Sequence, residues 1–277
     1  MGHRAISSSE SGSNESVARR VTPDVPNRMI AQLKERGDIV PMLRRGPLLG
    51  LAAQLAALAA LALTVGLGRT GWVTGVGYGL VLCAILSRGM TVLGVEGLGP
   101  ADRVTLTRAT LVGCVTALTA DSLQRPVPLD VLVTIAAVAL VLDAVDGYVA
   151  RTTRTASPLG AWFDQEVDAF LLLVLSLFVA RSLGSWVIVI GAMRYAFLVA
   201  GWILAWMRQP LPPRYWRKVV AAVQGIVLVV AAAGVLAPTL AGVAVAGALV
   251  LLVESFGRDV AWLWVRTAVL PVQAARR

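Results

Sequence analysis

The stretch Asp143–Asp168, DAVDGYVARTTRTASPLGAWFDQEVD, places two pairs of carboxylates on either side of a short polar connection. Asp143 and Asp146 are three residues apart at the end of one apolar run, so on a helix they share a face. Asp164 and Asp168 are four apart at the start of the next run and also share a face. The residues between the pairs turn the chain back. The pattern therefore predicts two neighbouring antiparallel helices whose acidic faces meet at one membrane depth. Carboxylates in apolar surroundings do not stay charged unaided. Each costs roughly 2.5–3.5 kcal/mol at a membrane centre, and repulsion between them adds to that. Divalent metal relieves both penalties. Oxygen-only ligands select a hard cation, Mg²⁺ or Mn²⁺, and two such ions suit phosphoryl-group displacement.

The residues around the acids fit the same chemistry. Gly147 directly follows the second aspartate, and glycine inside a helix is costly unless a ligand or a neighbouring helix approaches closely. Ala150 keeps that face open, and Arg151, one turn beyond Gly147, reaches toward a diphosphate from the same side. Gly160 has the equivalent place at the start of the second helix.

Outward from this stretch the chain reads as a membrane protein. Its 277 residues are 57% hydrophobic and only 15% charged, against about half and a quarter in soluble domains. Eight apolar runs follow one another, at about 47–67, 71–94, 105–121, 128–147, 161–181, 184–207, 216–236 and 239–257. Each is long enough to cross a hydrocarbon core of roughly 30 Å. Breaks are expected at Gly68–Gly71, Pro100, Pro126, Pro158, Pro210 and Pro238. With the amino terminus in the cytoplasm, the inner connections carry Arg103, Arg108, Arg151, Arg154, Arg208, Arg214, Arg217 and Lys218. The outer ones carry Arg69, Arg125 and Arg181. The positive-inside rule then places both termini and the acidic cluster at the cytoplasmic face.

The net charge of +9 fits this arrangement and anionic lipid headgroups better than nucleic acid, since no basic stripe with interleaved aromatics appears. Residues 1–25 read as a disordered cytoplasmic tail and 261–277 as a basic one. Residues 26–46 fit either a helix on the membrane surface or a solvated linker. Cys83 and Cys114 read as small buried apolar residues, and Gly75, Gly77 and Gly79 as sites of close helix packing. His3, the only histidine, lies in the polar tail, so the chemistry uses no imidazole.

The run resembles the signature of the CDP-alcohol phosphotransferase family, D-x2-D-G-x2-A-R-x8-G-x3-D-x3-D, with every fixed position present. The resemblance covers roughly residues 100–260. It implies a six-helix catalytic membrane core, with the spans within 47–94 as two additions before it, and a homodimer. It further implies transfer of a phosphatidyl-type group from a CDP-linked lipid to an alcohol, with release of CMP, in phospholipid biosynthesis. By position, Asp143, Asp146, Asp164 and Asp168 would ligate the metals. Asp168 would also be the base that takes the proton of the attacking hydroxyl. Gly147, Ala150, Arg151 and Gly160 would line the CDP site. The family's weaker upstream pattern, N-x2-T-x2-R, appears as Asp102-Arg-Val-Thr105-Leu-Thr-Arg108, which adds Thr105 and Arg108 to that site. Asp102 stands where the family has Asn, which puts its part in nucleotide binding in doubt.

Acceptor choice is less legible. Arg194 lies inside an apolar run, where an isolated charge is expensive and usually functional. Together with Arg154, Arg214, Arg217 and Lys218 it favours a phosphorylated acceptor, although the last three also read as positive-inside anchors. Gln224 reads as a lining residue or as interhelical glue. Two rival functions remain. An intramembrane prenyltransferase would want its acidic pairs on well-separated helices, and a cation-binding transporter would show internal repeats. Neither feature is present in the sequence.

Overall fold

A computed structural model describes residues 45–94, 97, 99–153, 158–209, 211, 212 and 215–274, with side chains at 46–94, 97, 99, 102–145, 159–209, 211, 212 and 215–267. The expected tail at 1–25 and most of the expected segment at 26–46 lie outside the described residues. Among the described residues there is no strand. The elements are α1 (Arg45–Thr64), α2 (Arg69–Val92), α3 (Pro100–Asp121), α4 (Leu129–Thr153), α5 (Pro158–Leu183), α6 (Ile188–Ile203), α7 (Tyr215–Ala232) and α8 (Pro238–Ala274). Short 3-10 turns at Ser185–Val187 and Ala205–Arg208 flank α6. The architecture is thus the expected all-α polytopic bundle. Among the described residues, five segments are long and apolar enough to cross a membrane: Gly46–Thr64, Arg69–Val92, Ser185–Ile203, Tyr215–Ala232 and Pro238–Thr267. The other three helices, α3, α4 and α5, carry the charges of the candidate site.

The third helix is the hub, packing against α1, α2, α4 and α5. Its start is fixed locally. Pro100 occupies the first helical position, and the Asp102 carboxylate accepts a hydrogen bond from the Gly99 N–H at 2.9 Å. Ala109, Val112 and Val115 of this helix are fully buried against Leu171 and Leu175 of α5 and other members of one core cluster. The leading hairpin rests on α3 through small residues. A side chain at Gly75 would meet Leu58 of α1 and Ala117 of α3, and one at Gly79 would meet Leu51 and Gln54 of α1. Gly77 points into open space, so close packing holds for two of the three glycines and not for it. Gly71, one turn before Gly75, joins the stripe instead. Cys114 is buried beside Leu61, Leu118 and Leu132, and Cys83 is half-buried, both as free thiols.

At the far end of α3 a polar clasp holds the hairpin in place. The buried Asp121 carboxylate accepts from the Gly68 N–H (2.9 Å), the Gly71 N–H (3.4 Å) and Arg125 Nε (2.5 Å). This caps the orphan amides at the start of α2. Nearby, Thr70 Oγ1 donates to Gln124 Oε1, and Arg181 of α5 donates to Ser122 Oγ. Gly66, with φ +73°, closes the turn between α1 and α2 in a conformation other residues rarely adopt.

Several boundaries differ from the sequence reading. The expected break at Gly68–Gly71 is shorter, because Arg69 already begins α2. The expected span 184–207 is divided: Leu204 is extended (φ −101°, ψ 104°) and interrupts the helical run between α6 and the 3-10 turn after it. The last helix passes the expected end at 257 and continues to Ala274, so residues 261–274 extend α8 rather than begin a tail. The charges along this stretch are paired: Asp259 with Arg217 of α7 at 3.6 Å, and Glu254 with Arg258. Gln224, fully buried, donates to the Ala248 carbonyl at 2.6 Å and so ties α7 to α8 as glue.

Candidate active site

The acidic faces of α4 and α5 meet as their spacing requires. Oxygens of Asp143, Asp164 and Asp168 all lie within 4.8 Å of one another, and each side chain is between a third and a half exposed. The intervals of three and four residues put each pair on one helix flank, and the antiparallel return of the chain sets the flanks opposite each other. Asp146 lies one turn beyond Asp143 on α4, with its side chain outside the described set, as are those of Gly147, Ala150 and Arg151. Gly160 lies in the first turn of α5. Arg154 and Arg214 fall outside the described residues.

A cation already sits among these acids. Arg108 of α3, whose side chain is 0% exposed, donates from Nη1 to Asp143 Oδ1 at 2.7 Å. Its Nη2 pairs with Asp164 Oδ1, with Asp168 Oδ1 at 3.1 Å and with the Asp164 carbonyl at 3.1 Å. One guanidinium fork thus engages side chains from two helices while belonging to a third. Thr105, one turn before it on α3, is buried on the way to the helix start. Asp102 is buried too, and its hydrogen bond to Gly99 gives it a local capping task in this chain.

The donor set fits a hard divalent cation. Every candidate ligand atom is a carboxylate oxygen, and the three acids come within chelating distance of one another. When bound, a divalent ion would supply charge stabilisation for a phosphoryl group and its leaving oxygen.

The acceptor candidates disperse. Arg194 is not an isolated charge: its Nη2 donates to Glu166 Oε1 of α5 at 2.5 Å, and both side chains are about a quarter exposed. Glu166 lies between Asp164 and Asp168 in sequence but on the opposite flank of α5, so α5 presents acids in two directions. Sequence reasoning passed over Glu166 because it is a variable position of the motif, although any carboxylate inside an apolar run is a signal. Arg217 is engaged with Asp259 and the Pro212 carbonyl, while Lys218 is exposed at the start of α7. An apolar cavity of about 770 Å³ lies elsewhere, between α6 and α8, lined by Met193, Phe197, Trp206, Phe256 and Trp264 among others and by none of the acids.

A family model described as CDP-alcohol phosphatidyltransferase matches residues 98–254, which takes in α3 to α7, most of the spanning part of α8 and every candidate acid, and leaves α1 and α2 outside. No curated protein and no solved structure matches the chain.

Proposed function

The chain belongs to the CDP-alcohol phosphatidyltransferase family, whose reaction moves a phosphatidyl group from a CDP-linked donor, and we propose that here the donor is CDP-diacylglycerol and the acceptor a small phosphorylated polyol. Glycerol phosphate and inositol phosphate are the acceptor types in view. The observation that supports this reading is the convergence of Asp143, Asp164 and Asp168 from two antiparallel helices on one point.

In this reading Asp143, Asp146, Asp164 and Asp168 hold Mg²⁺ or Mn²⁺, two ions in all. Gly147, Ala150, Arg151, Gly160 and Thr105 shape the CDP site, with Arg151 on the diphosphate. Asp168 takes the proton of the acceptor hydroxyl. The freed oxygen forms a bond to the lipid-side phosphorus, and the bond from that phosphorus to the CMP oxygen breaks in line. Arg194 and Lys218, with Arg154 and Arg214, attract the acceptor's phosphate. The lipid chains stay in the bilayer while the polar groups meet at the cytoplasmic surface, in keeping with the excess of Arg and Lys on the connections assigned to that side. Both termini then lie in the cytoplasm, and a homodimer is the working assembly.

The test is CMP release by the purified chain in detergent with CDP-diacylglycerol, Mn²⁺ and a panel of alcohols. Release that requires both the metal and a phosphorylated polyol supports the proposal. Release with an unphosphorylated alcohol alone corrects the acceptor, and no release with any alcohol sinks the reading.

A further inference from the structure

From the burial and bonding of Arg108 we infer that it is a resident counter-cation of the acidic cluster, a positioning residue that holds the metal-ligating carboxylates together before any ion arrives. The inference rests on the metal-site reading above and departs from the place in the CDP site that the upstream pattern implied for this residue.

Two observations and the chemistry of guanidinium carry it. The Arg108 side chain is fully buried, so it presents no face to a soluble nucleotide. Its two terminal nitrogens are committed to Asp143, Asp164 and Asp168, which arrive on two helices 35 or more residues further along the chain. Guanidinium keeps its charge under all ordinary conditions, and its planar fork suits several carboxylates at once. A strongly hydrated ammonium would do so less well.

The consequence is electrostatic. Three carboxylates within 4.8 Å repel one another, although each is a third to nearly half exposed. Arg108 offsets part of that repulsion by placing a fixed positive charge against all three. Without it the metal-free cluster loses that positive charge and should splay apart. Arg108 thus stabilises the empty site and, by the same charge, weakens attraction for the first ion. Charge removal should therefore destabilise the metal-free protein and strengthen its response to metal.

The experiment compares the full chain with R108M and R108K in detergent. Thermal unfolding is followed in chelator and in Mn²⁺, and Mn²⁺ binding is followed by the electron paramagnetic resonance of the free ion. In chelator, R108M is expected to melt about 10 °C below the unaltered chain, as loss of one member of a buried charge cluster implies. Saturating Mn²⁺ should recover at least half of that deficit, and the Mn²⁺ Kd should fall by about tenfold or more. R108K should lie between the two in chelator. An R108M chain that melts like the parent in chelator overturns the inference, as does one whose Mn²⁺ shift and Kd equal the parent's. If R108M alone does not fold, R108M/D143N/D168N relieves the repulsion and should fold; failure of that variant also overturns it. Absence of Mn²⁺ binding by the parent chain would instead remove the metal-site reading itself. None of these readouts depends on turnover.

Discussion

Arg194 of α6 and Glu166 of α5 form an ion pair at 2.5 Å, so the cation that the sequence strands in an apolar helix is neutralised inside the bundle. The pair is only about a quarter exposed at either side chain, between the surface case and the fully buried one. Replacement E166Q should cost about 2 kcal/mol of stability, read as a lower melting temperature in detergent. R194A should raise the acceptor KM with a smaller effect on the donor. Equal donor and acceptor KM values in R194A and the parent would leave the arginine a purely structural member of the pair.

Asp168 faces Asp143 of α4 across the helix interface and lies one turn from Asp164 on α5. Asp168→Asn keeps its size and removes its basicity, so turnover should fall by at least about 100-fold, while CDP-lipid binding, measured by competition, changes little. Retained turnover would dismiss it as the base.

Asp121 sits at the opposite end of α3 from Asp102 and touches nothing in the candidate site. Its carboxylate accepts two backbone amides and one guanidinium N–H while almost fully buried. Asp121→Ala should cost about 2–4 kcal/mol and loosen the α1–α2 hairpin. The kcat of the protein that remains folded should be unchanged. A chain that loses kcat without losing stability would show that this end of the bundle communicates with the site.

Gln54 is fully buried, and its amide lies against Gly113 of α3, where an added methyl group would run into it. Gly113→Ala should therefore destabilise by about 1–3 kcal/mol, as overpacking does. The double variant Q54A/G113A should recover much of that loss. Additive effects in the thermal unfolding of the two single variants and the double would mean the residues do not share this space.

Much of the architecture was legible because membrane helices announce themselves by composition, and Asp143, Asp164 and Asp168 could be placed together because helical periodicity fixes which residues share a flank. What could not be read were the partners. Arg108 reaches Asp143 over 35 residues of chain and Asp164 over 56, and nothing local in either segment encodes the meeting. The same holds for Glu166 and Arg194. The interruption at Leu204 has no Gly or Pro at that position to mark it. The last helix runs past the expected end at 257 because the chain stays apolar beyond Glu254, Arg258 and Asp259, and these charges are paired.

The fifth helix holds Asp164 and Asp168 against one neighbour and Glu166 against another. Sliding it by a single residue would move each acid about 1.5 Å along the axis and swing it roughly 100° around it, unseating both sets of partners together. It is keyed from two sides, like an axle between splines. A register slip of α5 would therefore break its attachments to Arg108 and to Arg194 in one step.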